Sequence, residues 1–154
     1  MFSRYSPGFL LLLTFSACAL SASAQSASST DARAAECASK SETFLSERLS
    51  VWQKRLKLQN WKVSILMAHA SDLKPKTLGN IHWDADKGSA VIRVLAASDY
   101  HMECRDMLAD MEFTVVHELI HLELSSLPRS EASRRSEEYA VNQIADALLA
   151  LDRP

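Results

Sequence analysis

The chain is 154 residues long, with 17 Lys and Arg against 19 Asp and Glu and a formal net charge of −2. Its basic residues are scattered, with no run that would follow a phosphate backbone, so nucleic acid is not an expected partner. With 47% hydrophobic residues the composition is that of an ordinary globular protein, and the length suits one compact domain and not two.

In chain order, the first feature is Arg4 followed by the apolar run Phe9 to Leu20 and then Ser21-Ala22-Ser23-Ala24-Gln25. A basic start, a short apolar stretch and an A-x-A ending make a secretory signal peptide over residues 1–24, cleaved after Ala24. The run is shorter than the roughly 20 residues that a membrane-spanning helix needs, so no stable membrane span is expected. The expected location is periplasmic or secreted. Phe15-Ser16-Ala17-Cys18 weakly resembles a lipobox, which keeps lipoprotein anchoring through Cys18 as a minor alternative. Residues 25–30 read as a disordered, Ser-rich leader, and the folded domain as 31–154. Removing the signal leaves two cysteines, Cys37 and Cys104. In an oxidising compartment one disulfide between them is the natural pairing, worth about 4 kcal/mol by the chain-entropy argument.

An amphipathic helix is predicted from about Asp31 to Leu58, with Leu45, Leu49, Trp52 and Leu56 at three- and four-residue spacing. Three strands follow, Trp61–Ala68, Leu78–Trp83 and Ala90–Ala96, the last two joined through the turn-forming Asp84-Ala85-Asp86-Lys87-Gly88. A helix over roughly Met107 to Leu124 and, past Pro128, a last helix over about Ser130 to Leu151 complete the order. The expected class is α+β: an N-terminal helix, a small, mostly antiparallel three-strand sheet, and two helices.

The helix at Met107–Leu124 carries His117-Glu118-Leu119-Ile120-His121, an H-E-x-x-H pattern. Residues i and i+4 share one helix face with Cβ atoms about 5–6 Å apart, so His117 and His121 can grip one Zn²⁺ from the same side. Glu118, one step round, can then hold and deprotonate a water on the open position, whose pKa zinc lowers to about 7. At about 100° per residue, Glu112 and Glu123 fall opposite the histidines, and Phe113, Val115, Val116, Leu119, Ile120, Leu122 and Leu124 surround them. Such a helix is apolar almost all round and should be buried, and buried polar groups need partners. A metal is one.

Catalytic zinc takes three protein ligands and leaves a fourth position to water. The metzincin pattern fails, because Leu124 and Leu127 stand where it requires Gly and His. The last helix offers Glu137 and Glu138, which flank an apolar stripe of Val141, Ile144, Ala145 and Leu148. Glu138 is the expected third ligand, with Glu137 the close alternative. Asn142, one turn past Glu138, is placed for a hydrogen bond to a ligating histidine.

Thr114-Val115-Val116-His117-Glu118-Leu119-Ile120-His121, followed by a helix bearing a glutamate, resembles the gluzincin type of zinc metallopeptidase. Glu138 to Ala145 is similar to the last helix of small ImmA/IrrE-type metallopeptidases and of compact phage and bacterial relatives. Together these stretches cover about a third of the chain. The resemblance implies a minimal zincin fold with an edge strand lining a peptide-binding cleft. It also implies His117, His121 and Glu138 as metal ligands and Glu118 as the base. The interval from His121 to Glu138 is shorter than in most of that group, and Glu123 stands where the extended motif prefers an apolar residue.

The expected function is thus an exported metallopeptidase with one Zn²⁺ per chain, hydrolysing peptide bonds of a peptide or protein substrate by a Glu-activated, zinc-bound water. Tyr100, His101, His82 and Tyr139 are candidates for stabilising the oxyanion, and Ala90–Ala96 is the strand expected to pair with a peptide. The alternative is a catalytically restricted zinc-binding regulatory or interaction protein of the cell envelope; a metal-free interaction protein is a further rival. Cleavage specificity and oligomeric state have no signature in the sequence.

Overall fold

The structure, a computed structural model, describes residues 22–128 and 130–152. Most of the expected signal peptide, Cys18 included, lies outside these residues. The chain divides into two compact units, Met1–Arg33 and Ala34–Pro154. Of the first, residues 22–33 are described and are helical, including the stretch 25–30 expected as a disordered leader. They open helix α1 (Ala22–Arg55), which therefore starts upstream of the expected Asp31.

The second unit is α+β, as expected. After α1 come β1 (Lys62–Ala68), β2 (Gly79–Asp84), β3 (Ser89–Leu95), α2 (Cys104–Glu123) and α3 (Glu131–Asp152), with short 3-10 turns at Ala70–Asp72, Ala97–Asp99 and Leu124–Ser126. No helix among the described residues is long and apolar enough to cross a membrane. α1 stops three residues short of the expected Leu58 because Lys57 takes a left-handed conformation (φ 56°). The Leu58 N–H then donates to Gln53 O (2.8 Å) and the Lys57 N–H to Lys54 O (3.3 Å), the paired bonds of a Schellman ending.

The strand order is β1-β3-β2, with β1 parallel and β2 antiparallel to β3. The sheet is accordingly mixed rather than mostly antiparallel. Residues 69–78 carry the chain from the end of β1 to the far side of the sheet, leaving a slot that β3 fills from the β2–β3 turn. That turn forms as expected: the Lys87 N–H donates to Asp84 Oδ1 (3.1 Å) and Gly88 supplies φ 57°. β3 is the central strand, so the expectation that Ala90–Ala96 offers a free edge is overturned. The edges are β1 and β2.

Along β3, Ala90, Ile92 and Val94 are buried while Val91 and Arg93 face out, the period-2 alternation of a sheet covered on one side. The covering layer is helical. Leu45, Leu49 and Trp52 of α1 join Met111, Val115, Val116, Leu119 and Leu122 of α2 and Val141, Ala145 and Leu149 of α3 in one core. Each Val, Leu or Met side chain among them contributes roughly 1.5–3 kcal/mol when fully buried. On α3 the inward stripe is Val141, Ala145 and Leu149; Ile144, expected inward, is 43% exposed. Cys37 and Cys104 form the expected pair, with Cα atoms 5.9 Å apart.

Because β1 and β3 run parallel, the turns that follow them lie side by side. Asp99, after β3, accepts from the Ala70 N–H after β1 (2.8 Å), from Ser98 Oγ (2.7 Å) and from His69 Nδ1 (3.2 Å). These bonds, the Ala70 N–H first, hold its carboxyl down to about 2 from 3.8. A carboxyl whose folded pKa is depressed stabilises the fold above its unfolded value and loses that contribution as pH falls through the folded one. The Asp99 contribution is therefore expected to vanish between about pH 4 and pH 2. Asp99→Asn should flatten that part of the curve of urea midpoint against pH; an unchanged acid limb would contradict it.

Candidate metal centre

The orientation of α2 is set from both sides. On the side away from the histidines, Glu112 accepts from Trp52 Nε1 (2.7 Å) and pairs with Arg48. Arg48 also pairs with Asp152 at the end of α3, as does Arg55 (2.5 Å), and both guanidinium groups lie over the Trp52 ring, at 5.7 and 4.7 Å from its centroid. The carboxylate face of α2 thus meets a charged joint with α1 and α3. Glu112 is only 13% exposed. With the apolar positions of α2 packed into the core, the remaining side of the helix turns His117, Glu118 and His121 toward a cleft.

α3 comes back against that side after a short connection. α2 ends at Glu123, the 3-10 turn Leu124–Ser126 follows, and Pro128 prevents the helix from continuing. Ser130 caps α3: its Oγ accepts from the Ser133 N–H (3.1 Å) and Ser133 Oγ accepts from the Ser130 N–H (2.8 Å). This is a capping box with serine in place of the usual Glu or Gln. Glu137 and Glu138 arrive two turns later, so the short interval after His121 suffices.

His117 Nε2 and His121 Nε2 are 3.0 Å apart, and each lies 3.4 Å from a carboxylate oxygen of Glu138. Donor atoms of the three residues all fall within 4.8 Å of one another. Ligands about 2.0–2.1 Å from a tetrahedral zinc lie about 3.3 Å apart, so the donor set fits one such ion in both chemistry and spacing. The other ring nitrogens are occupied. His117 Nδ1 is 3.0 Å from Asn142 Oδ1 and His121 Nδ1 is 2.9 Å from Glu137 Oε1. With Nδ1–H donating in each case, both rings present an Nε2 lone pair to the centre. The two neighbouring glutamates are thereby told apart: Glu138 faces the Nε2 atoms, and Glu137 orients His121 from behind.

Burial, then the neighbouring His121, holds the pKa of His117 below its ordinary value, which keeps the ring in the neutral form that a ligand requires. Glu118 is 7% exposed. Burial pushes its carboxyl up to about 7, with His121 pulling it down and Glu138 adding a smaller push upward.

The cleft measures about 550 Å³ and is walled on the sheet side by residues 74–83. Gly79 makes the close approach of β2 to α2 possible: a Cβ there would meet Thr114 Cγ2 at 2.4 Å and Arg93 O at 2.6 Å. None of the four expected oxyanion candidates lines the cleft. Tyr100 donates instead to Asp110 Oδ2 (2.9 Å), and His82, His101 and Tyr139 are exposed outside the cleft lining. The polar side chains that do line it include Asn80 and Arg134, with Phe113 and Trp83 as its aromatic lining. Helix spacing held a signal for two of these, because Phe113 precedes His117, and Arg134 precedes Glu138, by one turn. Comparison with known proteins adds nothing to this geometry: the chain matches no family model, no curated protein and no solved structure.

Proposed function

We propose that the protein is an exported zinc-dependent metallopeptidase. The observation that carries this reading is the convergence of His117 Nε2, His121 Nε2 and Glu138 at ligand spacing, with the buried Glu118 lining the same cleft. A zinc ion held by those donors supplies Lewis acidity to a carbonyl and lowers the pKa of a water to about 7. Glu118 accepts a proton from the attacking water on its carboxylate as the oxygen adds to the scissile carbonyl carbon. It returns that proton to the amide nitrogen as the C–N bond breaks, so water is consumed and acid and amine leave. Asn142 and Glu137 hold the two imidazoles in place throughout. The peptide lies along β2, an edge strand of the sheet that lines the cleft, and pairs with it by β-augmentation. Export is supported by the signal-like N-terminus and by the Cys37–Cys104 pair.

Elemental analysis of the exported, processed protein, prepared without a histidine tag, tests the centre. About one zinc per chain is expected, and none in His117→Ala/His121→Ala. Absence of zinc from the unchanged protein would remove the enzyme reading.

A further inference from the structure

Among the described residues lining the cleft, the acidic side chains Glu118, Glu137 and Glu138 all come from α2 and α3, and the sheet side contributes only bases, Lys74 and Lys76. This departs from the chain as a whole, where acids outnumber bases and the net charge is −2. Lys74 and Lys76 come from the segment leading into β2, and both are exposed.

The backbone supplies a second observation. The Thr77 N–H donates to Lys74 O (3.1 Å), closing a four-residue turn that Thr77 Oγ1 reinforces on the same carbonyl (2.8 Å). Pro75 holds the second position and Lys76 the third, with φ 67°. This is the pattern of a type II turn, whose third position favours glycine. A side chain there is disfavoured by contact with its own backbone. Strain retained beside a cleft is an observation from which function can be argued: a lysine sits at the mouth where local conformation asks for glycine.

From these two observations we infer that the turn Lys74–Thr77 forms a cationic subsite that takes a carboxylate of the bound peptide, so that the preferred substrates are acidic peptides. The inference rests on the peptidase reading for what occupies the cleft. The subsite acts at the rim, where charge governs selection and the rate of encounter more than tight holding.

Binding and cleavage are measured separately. Two fluorescein-labelled synthetic peptide pools, identical except for Glu or Gln at fixed positions, are titrated by anisotropy against Glu118→Gln protein. The same pools are offered to the unchanged protein for cleavage. The Glu pool should bind about fivefold more tightly, the size expected for two partly exposed ion pairs, and the preference should shrink as salt is raised. Lys74→Gln/Lys76→Gln should abolish it. Lys76→Gly should weaken it without lowering the urea midpoint, because glycine relieves the turn; a loss of preference through misfolding would lower that midpoint. Equal binding of the two pools, or no binding of either, overturns the subsite, whether or not the pools are cleaved. A Glu preference with no cleavage by zinc-loaded protein supports the subsite and instead overturns the peptidase reading.

Discussion

Glu118→Gln is expected to lower peptide hydrolysis by about 10²–10⁴-fold, the range for losing a general acid–base, while the zinc content stays that of the unchanged protein. Glutamine is nearly isosteric and still fits a position that is 7% exposed, but its amide cannot take a proton from water or return one to an amine. The loss should fall on kcat, with KM little changed, because the role is confined to the transition state. Folding should not suffer. Burial already disfavours the charged carboxylate, and a neutral amide escapes that penalty. Comparing cleavage at equal zinc loading checks this. Activity within a few-fold of the unchanged protein would assign the proton transfers to another group, and loss of zinc along with activity would make Glu118 part of the support for the centre.

Reducing the Cys37–Cys104 disulfide, or replacing both residues with serine, is expected to cost about 4 kcal/mol for a separation of 67 residues. For a domain of this size that lowers the thermal midpoint by about 10–20 °C. The bridge joins α1 to the first residue of α2 and encloses the whole sheet, so its removal releases a long loop in the unfolded chain. In the native state α1 keeps its other attachments: Leu45, Leu49 and Trp52 in the core, and Arg48 and Arg55 at the charged joint. The reduced protein should therefore still fold at room temperature. Urea unfolding of the exported protein with and without a reductant measures the difference, and coincident curves would refute it.

Much of this architecture was legible from the chain. The strand and helix ends after α1 fall within about three residues of expectation, because apolar periodicity and the signals at Gly88, Pro128 and Ser130 are local. The contact between Asn142 and a motif histidine also followed from spacing alone. What stayed hidden was set by contacts distant in sequence. β3 alternates cleanly, but that alternation suits an edge or a central strand equally, and the order β1-β3-β2 is decided by residues 69–78, which carry no periodic pattern. Glu137 and Glu138 are chemically identical neighbours, and only the placement of α3 against α2 assigns one to the Nε2 atoms and the other to Nδ1. Tyr100 had suitable chemistry for an oxyanion, yet its hydroxyl is engaged by Asp110, on the same helix as the histidines but toward its start.

Two non-overlapping stretches of chain surround the cleft: residues 74–83 from the sheet side, and residues 113–142 from the helical hairpin that holds every donor and its supports. Inheritance can therefore act on them separately. Changes at exposed positions of the first stretch, such as Lys74 and Lys76, re-line the mouth without altering the register that aligns His117, His121 and Glu138, whereas Gly79 packs on Thr114 and Ile81 and Trp83 pack on the core. A lineage carrying this fold is free to diversify what it accepts while its chemistry stays fixed, and an engineer could recruit new selectivity by exchanging one short segment.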